Sequence, residues 1–209
     1  MKTLWNKYEK AWLAGLPRAL FEGRIVVVLT EAEAERAVDF LLSQPILGFD
    51  TETRPTFRPG PMNDVALLQV ATDDAAFLFR LNRIGVCDPV VRLLSDTTVT
   101  KVALSWTDDT HQLMRRRRFK MGNIVDLQDY VKKFGIEDAS LQKLYANVFG
   151  QRISKTQQLS NWEADALTTA QQRYAATDAW ACIRLYEELR ELQRTGKWEL
   201  KRHEETVSE

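Results

Sequence analysis

The order of apolar runs constrains this chain more tightly than its composition does. Arg24–Leu29 (RIVVVL) is β-branched and reads as a strand. Thr30 then stands as a helix N-cap with Glu33 at capping-box spacing, and Ala34, Ala37, Val38 and Leu41 follow at helical spacing. Pro45–Thr51 reads as a second strand. Val65–Ala71 and Ala75–Phe79 flank Thr72-Asp73-Asp74, a hairpin signal. A helix near Asp88–Leu94, a strand at Thr98–Ala103, a helix at Asp108–Arg116 and, at Ile124–Leu127, a short strand or the lead into a helix come next. Ser140 opens one further helix, and Thr168, with Gln171 three residues on, opens a long one. Strands with a hairpin first, then strands alternating with helices, predict an α/β fold: a mixed β-sheet of about five to six strands flanked by α-helices.

The ends carry different signals. Residues 1–22 hold Trp5, Tyr8, Trp12 and Leu16 at approximate helical spacing, which predicts a helical extension packed on a domain spanning 23–192. Residues 193–209 read as a charged, frayed tail. Arg54–Asn63, with three prolines and a glycine, reads as a loop beside the second strand. Lys plus Arg equals Asp plus Glu at 29 each, so any grip on a polyanion requires a local basic track rather than overall charge. Cys87 and Cys182 form no CxxC, and with only two histidines a standard Cys/His zinc site is excluded. Buried free thiols fit a reducing, cytoplasmic location. No apolar run approaches the ~20 residues of a membrane helix.

Three acidic signals carry the chemistry. Asp50 ends the apolar strand Ile46-Leu47-Gly48-Phe49, and Glu52 lies two residues on, hence on the same face. Two carboxylates aimed at one spot repel unless a divalent cation sits between them, and oxygen ligands suit Mg²⁺ or Mn²⁺. Asp109 follows the apolar strand Val102-Ala103-Leu104 near the start of a helix. Its neighbour Asp108, three residues after Ser105, fits a helix cap and is the more structural of the pair. Tyr174 and Asp178 lie one turn apart on the long helix, among alanines that let a helix approach a sheet closely. Each signal alone has a structural explanation; their order together is specific.

Gly48-Phe49-Asp50-Thr51-Glu52-Thr53, Lys101-Val102-Ala103-Leu104 with Asp109, and Tyr174-Ala-Ala-Thr-Asp178 resemble the three motifs of the DEDD superfamily of 3′→5′ exonucleases, in its Tyr-containing branch. The sister branch would carry His where this chain has Arg173. Val65–Gln69, and Ser140-Leu141, Leu144, Gly150, Lys155 and Ser160-Asn161-Trp162, extend the resemblance toward ribonuclease D and Werner-type exonuclease domains, over roughly residues 23–192.

That resemblance implies a ribonuclease H-like sheet and two-metal hydrolysis of the terminal phosphodiester of DNA or RNA, releasing nucleoside 5′-monophosphates. Asp50, Glu52, Asp109 and Asp178 are the implied ligands of two Mg²⁺ or Mn²⁺ ions, and Tyr174 is implied to orient the attacking water. Thr51, Thr53, Trp106, Arg115, Arg152, Lys155 and Trp162 are the candidate nucleic-acid contacts, the tryptophans as base-stacking platforms. The loop after the first motif is a candidate lip over the terminal nucleotide. The expected partner is nucleic acid with a free 3′ end, and a helicase supplied as a separate chain is a candidate protein partner. DNA is favoured over ribonuclease D-like RNA maturation, because little chain after residue 192 is left for helical RNA-binding domains. A nuclease fold that only holds nucleic acid is the competing reading, against which the complete acidic set argues.

Overall fold

The computed structural model describes residues 1–57 and 63–203. In chain order they form β1 (Lys2–Trp5), a 3₁₀ turn (Lys10–Leu13), β2 (Arg24–Val28), α1 (Glu31–Leu41), β3 (Ile46–Thr53), β4 (Val65–Ala71), β5 (Ala75–Arg80), α2 (Leu81–Ile84), α3 (Asp88–Ser95), β6 (Thr100–Ala103), α4 (Trp106–Arg116), β7 (Ile124–Asp126), α5 (Leu127–Lys132), α6 (Leu141–Phe149), α7 (Thr169–Thr195) and β8 (Trp198–Lys201). Six strands make one mixed sheet in the order β2-β5-β4-β3-β6-β7. β3, β4 and β5 run antiparallel as a meander. β2 adds parallel to β5, and β6 and β7 add parallel beyond β3.

Both faces of the sheet are covered, as its apolar strands require. Phe49, Leu68, Val70 and Phe79 pack one face against Val38 and Leu41 of α1, Leu93 and Leu94 of α3, and Trp106 and Leu113 of α4. The opposite face lies under α7, whose Ala175, Ala176 and Ala179 meet Leu67, Ala71, Ala76 and Leu78. Both sequence-predicted capping boxes form: Thr30 with Glu33 starts α1, and Thr168 with Gln171 starts α7.

The ends depart from the helical extension and frayed tail. Lys2–Trp5 is a strand that pairs in parallel with Trp198–Lys201, and the helix between residues 1 and 22 is confined to the 3₁₀ turn. Trp5, Tyr8 and Trp12, which mimic a helical stripe, instead stack edge to face on one another around Trp12, with ring centroids 5.0 and 5.2 Å apart. α7 continues past residue 192 to Thr195, where Gly196 at φ 64° ends it and turns the chain into β8. Residues 204–209 of the expected tail lie outside the described residues.

The β6–α4 junction also differs from its expected cap. Ser105 has φ 56°, the left-handed region, and its side chain makes no cap bond with Asp108. The carboxylate of Asp126, at the end of β7, accepts the N–H groups of Ser105 and Trp106 at 2.8 Å each. A neighbouring strand end thus holds a strained turn that aims α4, and Asp109 with it.

α7 can lie this close to the sheet because position 48 has no side chain. A Cβ there would stand 1.9 Å from the Ala179 carbonyl oxygen. Gly48→Ala is therefore expected to lower stability by about 1–3 kcal/mol through overpacking, measured by urea denaturation in EDTA. An unchanged midpoint would show that helix and sheet can separate freely.

Candidate active site

β3 and α7 bring the first and third acidic signals together. Asp50 and Glu52 share the α7 face of β3, the face on which Gly48 admits the helix, and Asp178 projects from α7 one position before Ala179. One carboxylate oxygen from each of Asp50, Glu52 and Asp178 lies within 4.8 Å of the others. Asp178 is buried, and its Oδ1 has no hydrogen-bond partner. Among the described residues none of the three is in an ion pair. Three hard oxygen donors converge here with an orphaned buried oxygen and no paired cation, so the donor set fits a divalent metal ion.

Electrostatics reflect the crowding. Burial, then the charge of Asp109, raises the Asp50 carboxyl to about 7. Burial is likewise the largest cause for Glu52, followed by repulsion from Asp50, Asp178 and Asp109. Asp178 is raised by burial and by Asp50, with Lys155 opposing. The Tyr174 phenol is pushed well above its ordinary range by burial, Asp178 and Glu52. It stays protonated at neutral pH, where it can donate a hydrogen bond but cannot serve as a base.

Asp109 is held at the edge of this group. It accepts a hydrogen bond from the Thr51 hydroxyl, and burial raises its carboxyl. Thr51 bridges the first and second signals, a bond that the alternation of β3 alone does not announce.

The trio opens into a cleft of about 620 Å³, whose far wall is the start of α6 with Lys143, followed by Lys155. Thr51 and Lys155, both expected at the nucleic-acid interface, line this cleft; Thr53, at the end of β3, does not. Arg115 is exposed on α4, and among the described residues its side chain makes no hydrogen bond or ion pair. Its neighbours Arg116 and Arg117 are engaged with the carbonyls of Val65, Leu81 and Val86. The loop after β3 lies partly outside the described residues.

Three expected contacts are corrected. Trp106 is 3% exposed, packed edge-on against Phe49 on the far side of the sheet. Trp162 is fully buried, its ring 5.9 Å from that of Tyr174. Neither offers a face to a base, because each fills core volume beneath a site-forming helix. Arg152 does not line the cleft: its Nε donates to the Leu16 carbonyl, tying down the N-terminal segment. Sequence reasoning also missed Asp126 and Lys143. An acidic residue ending the apolar run Ile124-Val125 was the available signal for Asp126.

Comparisons with known proteins agree with this geometry. The bifunctional 3′-5′ exonuclease/ATP-dependent helicase WRN of Mus musculus is 30% identical over 158 residues, covering 73% of this chain but 11% of that protein. A 3′-5′ exonuclease of Arabidopsis thaliana is 28% identical over 195 residues, covering 84% of this chain and 67% of the relative. The crystal structure of the Aedes aegypti Nibbler EXO domain superposes with a TM-score of 0.74 at 23% identity, over 89% of this chain and 95% of that one. A sequence model described as 3′-5′ exonuclease matches residues 25–193, and the chain belongs to that family.

Proposed function

We propose that this protein is a divalent-metal-dependent 3′→5′ exonuclease that removes nucleotides singly from the 3′ end of DNA or RNA and releases nucleoside 5′-monophosphates. The observation that carries the reading is the unneutralised trio of half-buried Asp50 and Glu52 and buried Asp178 at the base of an open cleft. Its place is in the Tyr-containing branch, with two Mg²⁺ or Mn²⁺ ions. Asp50, Glu52 and Asp178 hold the metal ions, with Asp109 supporting from the edge. Bound there, such ions supply Lewis acidity and an activated water. Tyr174 donates its O–H to orient the nucleophile. Lys155 faces the incoming strand and offsets charge at Asp178. Thr51, Thr53 and Arg115 contact the strand nearer the surface.

DNA is the favoured substrate. Similarity to a protein named as both exonuclease and helicase, of which the chain spans about a tenth, supports a helicase as partner. Two unpaired, buried thiols support a cytoplasmic location.

The test uses 5′-labelled single-stranded DNA, recessed duplex DNA and RNA, with Mg²⁺, Mn²⁺ or EDTA. A metal-dependent ladder shortening from the 3′ end is expected, with turnover falling at least ~10³-fold in Asp50→Asn. Salt-sensitive binding without cleavage by either metal would replace this proposal with a binding module. Lys155→Ala is expected to weaken binding and flatten the dependence of log affinity on log salt by roughly 0.7, one phosphate contact on a single strand. An unchanged slope would remove Lys155 from the strand path.

The raised carboxyls set the sign of a pH effect. Without metal, the folded state binds more protons than the unfolded chain. The associated stability is complete below the ordinary carboxylate range and is lost as pH rises through the folded values. Wild-type protein in EDTA should therefore lose stability relative to Asp50→Asn between about pH 5 and about pH 8, by at most ~1.4 kcal/mol per pH unit. Parallel melting curves for the two proteins across that range would refute the cluster's protonation.

A further inference from the structure

Gln69 is a side chain the acidic motifs do not use. It sits in the middle of β4, fully buried, and neither its Nε2 nor its Oε1 has a hydrogen-bond partner. Leaving an amide dry and unpaired costs about 1–3 kcal/mol, whereas an apolar side chain of the same shape costs nothing of the kind. A carboxamide in this position therefore calls for a polar partner.

Pairing between strands identifies where that partner lies. Gln69 is directly opposite Asp50 on β3 and Leu78 on β5. Opposed residues of an antiparallel pair project to the same face, with Cα atoms about 4.5–5.5 Å apart. Gln69 thus lies under α7 in one cross-strand row with Asp50, between Leu67 and Ala71, which meet the alanines of the helix. Above this row α7 carries Asp178, whose Oδ1, like the Nε1 of Trp162 and the Nε of Arg80, is unpartnered among the described residues. Thr177, also buried on α7, already receives the Phe21 N–H and donates to the Arg173 carbonyl. The polar group directly across the ladder from Gln69 is the Asp50 carboxylate.

We propose that Gln69 is a positioning residue: its amide N–H group donates through one water to the Asp50–Asp178 carboxylate pair and holds both in the orientation that receives a divalent ion. The inference rests on the metal reading of the trio. An amide suits this place because it orients carboxylates without neutralising them as Lys or Arg would, and without adding a further negative charge. Removing such an outer partner of a metal ligand characteristically costs 10–100-fold in metal affinity, roughly.

The test measures metal binding apart from turnover. Mn²⁺ is titrated into wild-type, Gln69→Leu and Gln69→Met protein, followed by calorimetry and by the rise in melting temperature; nuclease assays across Mg²⁺ concentrations run alongside. Both variants are expected to melt in EDTA at or above the wild-type temperature. Their Mn²⁺ midpoints should shift upward by about 10–100-fold, with KM for the oligonucleotide at saturating metal unchanged. Gln69→Met, flexible and close in volume, keeps the test valid if the branched Leu cannot be packed. Wild-type-like Mn²⁺ midpoints in a folded variant would overturn the inference and make Gln69 a space-filling residue. A wild-type protein with no response to Mn²⁺ would overturn it together with the metal reading, so the two failures are distinguishable.

Discussion

The close seating of α7 on β3 governs the rest of the structure. A helix that passes a strand at ordinary distance would hold Asp178 too far from Asp50 and Glu52 for shared coordination. Here the missing side chain at Gly48 and the alanines at 175, 176 and 179 remove the bulk that keeps helix and sheet apart. Small residues thus bring Asp178, distant in sequence, to Asp50 and Glu52 in one cluster within 4.8 Å. The packing that shapes the core and the chemistry that shapes the site are the same contact.

That contact is electrostatically unfavourable by itself. Three crowded acids, shielded from water and without a paired cation among the described residues, raise one another's proton affinity. Their arrangement persists because the scaffold around them is determined independently. α7 begins at a complete capping box and runs 27 residues, with Leu185, Leu189 and Leu192 buried in a second core cluster about two to four helical turns beyond Asp178. β3 is paired on both sides, to β4 and β6. The stabilising burial is therefore spread over elements that do not depend on the site, and local repulsion is tolerated where a ligand can relieve it.

What the sequence made legible follows the range of the interactions. Capping boxes, the β4–β5 hairpin and the shared face of Asp50 and Glu52 depend on residues a few positions apart, and pattern alone identified them. The pairing of β1 with β8 joins the two ends of the chain, and no local pattern encodes it; Trp5, Tyr8 and Trp12 accordingly mimicked a helix. The run Arg115-Arg116-Arg117-Arg118 looks uniform in sequence. The phase and end of α4 divide it, so that Arg116 satisfies carbonyls at the sheet edge while Arg115 faces solvent. The cap on Ser105 and Trp106 came from Asp126 across a strand rather than from Asp108, because the left-handed turn aims those two N–H groups at β7.

Tyr174 is served by a residue that sequence alone misreads as a base contact. Its phenol, raised by burial and by Asp178 and Glu52, remains a donor, so its contribution depends on where the hydroxyl points rather than on proton removal. Trp162 packs beside its ring and is fully buried. The segment carrying Trp162 is secured in turn: Gln171 of the capping box donates to the Asn161 carbonyl, and Arg80 at the end of β5 donates to that of Ala164 at 2.5 Å. An indole held in this way limits the motion of the phenol it touches. The aromatic that resembles a base-stacking platform in sequence thus acts one layer deeper, fixing the direction of a neutral donor beside three acids.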